Sequence, residues 1–160
     1  MGFSLLNVDA DSKARLGLIS TKSGDIETPV FMPVCTKGTP KAITTSNLQS
    51  MGFNMVVANA YHLFLKPGHV KIKEYGGLHS FMDWKDVILT DSGGFQVYSL
   101  SPSVKISEDG VSFKSYIDGT NNFISPELSI EIQEYLGSDI MMIFDDCPKP
   151  DSEYSKIQES

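Results

Sequence analysis

Cysteine and histidine are scarce in this chain. Its 160 residues include two cysteines, Cys35 and Cys147, and three histidines. The cysteines lie too far apart in sequence to form the close pair that supplies half of a zinc site. With so few candidate ligands, we expect no metal site made by this chain alone, and we interpret the cysteines as two reduced thiols of a cytoplasmic protein.

Positive charge is also scarce. Against 20 aspartates and glutamates the chain has 13 lysines and arginines, for a net charge of −7. A chain with this balance is not a general binder of polyanions, so any contact with nucleic acid must be local or supplied from elsewhere. The composition therefore counts against a simple RNA-binding module.

Long apolar runs are absent as well. None approaches the roughly 18 residues that a membrane crossing requires, and the N-terminus lacks the basic stretch and apolar run of an export signal. We therefore expect no membrane association and no export. With 41% hydrophobic residues the chain can still bury a core, and its length predicts about one globular domain.

The first apolar runs predict an antiparallel sheet. Residues 16–19 would form one strand and residues 30–34 the next, with a turn signal at residues 23–25 between them. Pro33 lies inside the second run and has no amide proton to donate. That run is therefore predicted to be an edge strand, or a strand that enters a loop.

Three later apolar runs end in polar or acidic residues. The runs are residues 53–58, 88–90 and 140–144. The polar residues that follow them are Asn59, Asp91 and Asp145. The first run is compatible with a strand that is buried on both faces, and the other two follow it as further predicted strands.

Helices are predicted between these strands. Residues 44–51 begin with candidate capping hydroxyls, and residues 72–75 form a second short segment. The clearest helix covers residues 125–136, because Ser125 is a good N-cap, a proline occupies the first helical position and Gly137 follows the last turn. Residues 154–157 could begin another helix.

Strands that alternate with helices predict a parallel α/β architecture, with its site at the carboxyl ends of the strands. Residues 104–106 and 111–113 alternate around a turn signal at residues 108–110, which predicts a β-hairpin inserted between the core elements.

The stretch from Ile88 to Val97 contains the strongest candidate site. Asp91 could be a general acid/base or a hydrogen-bond acceptor for a ligand, and its alternative is a turn aspartate that accepts backbone protons. Ser92 has no activating base nearby in sequence, so a hydrogen-bonding role suits it better than a nucleophilic one. Gly93 and Gly94 could simply form a turn or let a planar ligand approach the backbone, and Phe95 could be a core residue or could stack on a base.

Two further positions also have two interpretations. Asp145 and Asp146 could pair with a base or a cation, although a loop and a helix cap are favoured from these residues alone. His62 follows a strand end, so it could orient a carboxylate or be a structural histidine whose hydrogen bonds are satisfied.

Ordered blocks along nearly the whole chain resemble the bacterial, queuine-pathway type of the tRNA-guanine transglycosylase family. The resemblance rests on Thr28-Pro29-Val30-Phe31-Met32-Pro33-Val34, Asn59-Ala60-Tyr61-His62-Leu63, Leu89-Thr90-Asp91-Ser92-Gly93-Gly94-Phe95-Gln96-Val97, Ser125-Pro126-Glu127 and residues 136–147. The sequence departs from the family pattern at four positions: Cys35 stands for a common glycine, Pro40 interrupts the segment that follows, Ala60 replaces a usual threonine, and Asp146 replaces a common glutamate.

The resemblance implies an enzyme that exchanges guanine at the anticodon wobble position of tRNA for a 7-deazaguanine base. It implies that Asp91 is the general acid/base for the ring proton of the base and that Asp145 accepts hydrogen bonds from the N–H edge of the base. By the same resemblance, Ser92, Gly93, Gly94 and Phe95 line the base pocket, Phe95 stacks on the heterocycle, and Asn59 and Gln96 support the pocket.

The family's nucleophilic aspartate, its zinc ligands and its basic tRNA-binding surface find no match within residues 1–160. The resemblance therefore implies the N-terminal portion of a (β/α)₈ TIM barrel, with an antiparallel N-terminal sheet and an inserted β-hairpin. Residues 1–160 would be a single partial domain that is inactive alone, and a full-length member would bind zinc and form a homodimer. The alternative is a noncatalytic fragment that binds a purine-like base or acts as a scaffold, and that needs a second chain to complete the barrel. An unrelated sugar-processing barrel with two carboxylates is weaker, because the other blocks would then be coincidental.

Overall fold

The computed structural model describes residues 1–100, 103–148 and 151–159. These residues form a mixed α/β fold with three three-stranded sheets. The helices among them are α1 (Thr45–Ser50), α2 (Ala60–Leu65), α3 (His69–Glu74), α4 (Gly77–Met82), α5 (Gly94–Leu100), α6 (Pro126–Leu136) and α7 (Tyr154–Glu159). Within the described ranges, none of the helices has the length and apolar character needed to span a membrane.

The N-terminal sheet is antiparallel, as predicted, but one of its strands lies elsewhere. Strand β2 (Arg15–Thr21) pairs with β1 (Gly2–Val8) on one side and with β3 (Gly24–Thr28) on the other. The prediction of a strand over residues 30–34 is wrong. Two prolines, at positions 29 and 33, supply no amide proton in this segment, so it makes only one isolated parallel bridge, from Val34 to Val57.

The central sheet is parallel and has the order β4-β5-β9, which confirms the predicted succession of parallel strands. Strands β4 (Met55–Asn59) and β5 (Val87–Asp91) pair over their full length, and β9 (Ile140–Met141) pairs with the middle of β5. The third strand is therefore shorter than the predicted 140–144, and residues 142–144 lie outside it, although the Met142 amide still donates to the Thr90 carbonyl of β5 at 3.2 Å. A (β/α)₈ barrel stays a prediction, since the described part of this sheet has three strands.

The predicted helix starts and stops are confirmed where capping signals are present. Thr44 caps α1 through a capping box with Asn47. Ser125 accepts a hydrogen bond from the Leu128 amide at the start of α6, and Gly137 ends that helix in the left-handed conformation, with φ of 76°. No pattern in the sequence predicts α2, α4 or α5, because these helices are only six or seven residues long and show little helical periodicity.

The two faces of the central sheet bury different partners. Val56, Ala58 and Ile88 belong to the main core, between the sheet and the helices. Its buried helical members include Leu63, Ile72, Leu78, Ile132 and Leu136. Met55 and Val87 face the other way and pack with Ile26 of the N-terminal sheet, so that sheet covers the amino ends of the parallel strands.

The predicted hairpin is confirmed, and a third strand extends it. Strands β6 (Val104–Ser107), β7 (Gly110–Lys114) and β8 (Asn121–Ile124) form the third sheet, which is antiparallel. Its buried side chains, including Val111 and Phe113, pack against Tyr61 of α2 and Val97 of α5. Since both helices directly follow strands of the central sheet, the inserted sheet lies at the carboxyl end of those strands.

Asp139 links three parts of the fold through a fully buried carboxylate. One oxygen accepts a hydrogen bond from the Ser23 hydroxyl at 2.6 Å. The other accepts the Ile88 amide at 2.9 Å and lies 3.2 Å from Nε2 of His79. The side chain therefore joins the N-terminal sheet and α4 to the start of β5.

We expect Asp139→Asn to lower the free energy of unfolding by about 1–3 kcal/mol, because the amide group would turn a donor toward at least one of these donors. Asp25→Asn is the matched control, since Asp25 is exposed, and it should change stability by no more than about 0.5 kcal/mol. Urea unfolding followed by circular dichroism measures both. Equal stability of the two variants would contradict the structural role of Asp139.

Candidate active site

Asp91 and Asn59 are register partners at the carboxyl ends of adjacent parallel strands. The Asn59 side-chain amide donates to Oδ2 of Asp91 at 2.5 Å, and the Ala60 backbone amide donates to Oδ1 at 3.2 Å. Asn59 is itself fixed, because its Oδ1 accepts the His62 amide at the start of α2. The strand end and the helix start thus hold the Asp91 carboxylate in one orientation.

Burial raises the pKa of Asp91 from 3.8 to about 6. Hydrogen bonds from Ala60, Asn59 and the Gly93 amide stabilise the carboxylate and act in the opposite direction, while the negative charge of Asp145 raises the pKa a little further. A carboxyl group with a pKa near 6 can both donate and accept a proton close to neutral pH, which is the property that general acid/base chemistry needs.

Ser92 connects the β5 end to the segment that follows β9. Its hydroxyl donates to Oδ1 of Asp145 at 2.8 Å and accepts the Gly94 amide at 3.2 Å. Among the described residues, no histidine or lysine hydrogen-bonds to this hydroxyl, and its proton is directed at the Asp145 carboxylate. The geometry thus matches the hydrogen-bonding interpretation of Ser92.

Gly93 and Gly94 are placed where a side chain would collide with neighbouring segments. Gly93 has φ of 83°, and a Cβ there would lie 2.9 Å from Cβ of Tyr61. A Cβ on Gly94 would lie 2.8 Å from Oδ1 of Asp145 and closer still to the Asp145 carbonyl oxygen. The second glycine therefore allows α5 to approach the Asp145 loop closely.

A cavity of about 290 Å³ opens between these segments, near the lower end of the size range of small-molecule sites. The residues that line it are Asp91, Ser92, Gly93, Phe95, Gln96, Met142, Ile143 and Asp145. Phe95 is 57% exposed and does not belong to the buried core, so its ring is available to a ligand. Gly94 and Asn59 do not line the cavity but contact residues that do.

Met142 and Ile143 line this cavity although the sequence predicted them to lie within a strand. Ile143 is 77% exposed. The apolar run from 140 to 144 carried no signal that the sheet pairing stops after Met141. At this point the Gln133 side chain of α6 hydrogen-bonds to both backbone groups of Met142.

Cys147 donates its thiol proton to Oδ2 of Asp145 at 3.1 Å. Burial, helped by the Asp145 carboxylate, raises the pKa of Cys147 to about 11, and burial raises the pKa of Cys35 to about 11 as well. Both cysteines are free thiols, in agreement with the sequence interpretation. Asp145 therefore has both oxygens engaged by neutral donors, one a hydroxyl and the other a thiol.

Asp146 lies beside Asp145 and lines a second, larger cavity of about 410 Å³ between α5 and the inserted sheet, which Asp145 also lines. Nδ1 of His62 lies 2.9 Å from the Tyr116 hydroxyl, and the described hydrogen bonds to the Asp91 carboxylate come from Asn59, Ala60 and Gly93. Of its two interpretations, the structural one matches these contacts. Within the described ranges, no three His, Cys, Asp or Glu side chains are grouped so that they could hold a metal ion.

Comparison with known proteins assigns this arrangement to a family. The family model described as queuine tRNA-ribosyltransferase matches residues 9–160. The chain belongs to the queuine tRNA-ribosyltransferase family. The resemblance found in the sequence is thereby confirmed.

Relatives that carry the name queuine tRNA-ribosyltransferase match the chain along most of its length. The protein of Caldanaerobacter subterraneus subsp. tengcongensis is 53% identical over 158 residues, which are 99% of this chain and 42% of the relative. That of Natranaerobius thermophilus is 51% identical over 160 residues, 100% of this chain and 43% of the relative. That of Bacillus licheniformis is 53% identical over 147 residues, 92% of this chain and 39% of the relative. The chain thus spans about two-fifths of the length of these family members.

We expect two substitutions to shift the pKa of Asp91 in opposite directions. Asn59→Ala removes a hydrogen bond to the carboxylate and should raise the pKa above about 6, whereas Asp145→Asn removes a negative charge and should lower it. Asp146→Asn is the control and should leave the pKa nearly unchanged. NMR titration of the Asp91 carboxyl carbon measures all three, and a lower pKa in Asn59→Ala would contradict the assigned hydrogen bond.

The raised pKa also predicts how stability depends on pH. Between pH of about 4 and 6 the folded chain binds more protons at Asp91 than the unfolded chain does, so the Asp91 contribution to the free energy of unfolding falls as pH rises through this window.

Gly93→Ala should destabilise the chain by about 1–3 kcal/mol more than Gly119→Ala. Both glycines have positive φ, 83° and 74°, so both variants carry similar backbone strain. Only Gly93 faces Tyr61, whereas a Cβ on Gly119 meets nothing within 4 Å. Thermal unfolding of the two variants separates the effect of the collision with Tyr61 from the effect of backbone strain. Equal losses of stability would mean that Tyr61 moves aside without cost.

Proposed function

We propose that this chain forms the base-recognising part of a tRNA-guanine transglycosylase, which exchanges guanine at the anticodon wobble position of tRNA for a 7-deazaguanine base in queuosine biosynthesis. The observation that carries the proposal is that two carboxylates, Asp91 and Asp145, line one cavity together with the exposed ring of Phe95. Membership of the queuine tRNA-ribosyltransferase family supports it.

Asp145 is the proposed acceptor for the base. A guanine-like edge presents two adjacent N–H donors, which a carboxylate can accept together. In the chain by itself, Oδ2 of Asp145 is engaged by the thiol of Cys147, a weak donor, and Oδ1 by the Ser92 hydroxyl. A base can therefore displace the thiol at little cost, while the hydroxyl keeps the carboxylate oriented. Phe95 stacks on the heterocycle, and Gln96 with Asn59 supports the pocket.

Asp91 is the proposed general acid/base. In the first half-reaction an aspartate outside this chain attacks the ribose carbon, the electron pair of the broken glycosidic bond passes to guanine, and Asp91 gives its proton to the departing ring. In the second half-reaction the ionised Asp91 takes the ring proton of the incoming base, whose nitrogen attacks the ribose carbon and expels the aspartate. Its pKa of about 6 suits both steps.

Other parts of the longer family members would supply the groups that find no match within residues 1–160. These parts are the nucleophile, the zinc ligands, the basic surface that holds tRNA and the contacts of a homodimer. A net charge of −7 agrees with this division, because a surface of this charge repels the phosphate backbone. We place the exchange in the cytoplasm.

Incorporation of labelled guanine into tRNA tests the proposal. The longest natural chain that contains residues 1–160 should catalyse exchange, and Asp91→Asn should lower the rate by about 10²–10⁴-fold, since the acid/base group is lost. Asp145→Asn should raise KM for guanine and leave KM for tRNA nearly unchanged. Asp146→Asn is the matched control and should stay within a few-fold of the natural protein.

Two outcomes would contradict these assignments. An unchanged rate of exchange by Asp91→Asn would show that Asp91 is not the general acid/base. Robust exchange by residues 1–160 alone would show that the nucleophile lies within this chain. Guanine binding without any exchange by the longest natural chain would instead support a noncatalytic base-binding role.

A further inference from the structure

Gln133 of α6 is a fully buried side chain whose four hydrogen-bonding positions are all used. Its Oε1 accepts the Thr90 hydroxyl at 2.8 Å and the Met142 amide at 3.0 Å. Its Nε2 donates to the Met142 carbonyl at 2.9 Å and to the Ser129 carbonyl at 3.2 Å. The side chain thus binds both backbone groups of Met142, as a neighbouring strand would.

This contact replaces a strand at the point where the sheet pairing stops. Strand β9 ends at Met141, and Asp145 follows Met142 by three residues. The Met142 amide also lies 3.2 Å from the Thr90 carbonyl, so Met142 is held from β5 and from α6 at once. The path of the chain from the sheet to Asp145 therefore starts from a position that Gln133 fixes.

A second residue on the same face of α6 holds the other side of the cavity. The buried Ser129 hydroxyl donates to the Ser92 carbonyl at 3.2 Å. Ser129 and Gln133 are one helical turn apart, so the same face of α6 hydrogen-bonds to the backbone of both Ser92 and Met142. Ser92 and Asp145 are joined directly by a single hydrogen bond.

We propose that Gln133 and Ser129 are positioning residues, which set the separation of Ser92 and Asp145 across the cavity and so determine how tightly the base is recognised. Neither side chain lines the cavity, so both act through the backbone of other residues. The inference rests on the proposed function, because the ligand whose recognition it concerns is the guanine base.

Gln133→Glu tests the role within one variant. A protonated glutamate can still accept the Met142 amide and donate to the Met142 carbonyl, whereas an ionised one would turn a negative oxygen toward the carbonyls of Met142 and Ser129. Burial raises the pKa of such a glutamate to about 8–9 in other proteins, so the variant can be compared in both states at about pH 6 and about pH 9.

We introduce Gln133→Glu into the longest natural chain and expect its KM for guanine to equal that of the unsubstituted protein at about pH 6. At about pH 9 its KM for guanine should be about tenfold higher or more, since small displacements of recognition groups have effects of this size. KM for tRNA should change much less. Gln158→Glu is the matched control, because Gln158 is exposed on α7, and its KM ratio should not depend on pH. Circular dichroism at each pH verifies that the variants are folded.

Ser129→Ala decides the question if Gln133→Glu unfolds at high pH. It removes one hydrogen bond, and we expect a folded protein with KM for guanine raised about threefold and KM for tRNA unchanged. An unchanged KM for guanine in a folded Ser129→Ala, or equal changes in both KM values in either variant, would overturn the inference.

Failure of the proposed function gives a different result. The unsubstituted protein would then show no exchange, and calorimetric titration with guanine would apply the same comparison to Kd. Weaker guanine binding by Gln133→Glu at high pH only would support the positioning role, and equal binding by all variants would overturn it.

Discussion

The parallel register of β4 and β5 is the constraint on which the rest of the site depends. It places Asn59 beside Asp91 on one face, while Thr90 faces the helices and bonds to Gln133. A slip of one residue would exchange the two faces, burying Asp91 in the apolar core and moving Thr90 toward the cavity. The contacts on both faces of β5 therefore require the same pairing with β4. Hydrogen bonds hold Asp91 on the cavity face, and contacts with the helices hold β5 on the other face.

The position of Asp91 is unfavourable for its charge, and this cost is typical of functional groups. Raising a pKa from 3.8 to about 6 means that the folded protein disfavours the ionised form by about 3 kcal/mol relative to the unfolded chain. Asn59, Ala60 and Gly93 offset part of the burial with hydrogen bonds, but not all of it. Because the ionised form of Asp91 remains disfavoured, its carboxyl group holds a proton that it can transfer near neutral pH. A carboxylate whose charge is fully stabilised would stay ionised and would be a poor acid.

Local patterns in the sequence predicted the elements whose causes are local. Ser125 and Gly137 marked the ends of α6, the apolar runs marked β4 and β5, and the turn at residues 108–110 marked the hairpin. Prediction failed where the cause is a side-chain contact that forms only in the folded chain. Residues 142–144 resemble a strand, yet a side chain from α6 occupies the place of the neighbouring strand. The direction of a side chain in an irregular segment also leaves no pattern in the sequence, so nothing pointed to Met142 and Ile143 as cavity residues or to the thiol contact between Cys147 and Asp145.

The apolar contact between the N-terminal sheet and the amino ends of the parallel strands has a consequence for the order in which bases bind and leave. Among the described residues, Ile26 packs on Met55 and Val87 and closes the amino ends of the strands, whereas Asp91 lies in a cavity at the carboxyl ends. Under the proposed exchange, the departing base and its replacement would occupy this same cavity in turn. The first base must diffuse away before the second arrives, which makes free guanine a competitor of the base that replaces it and gives the reaction a ping-pong order.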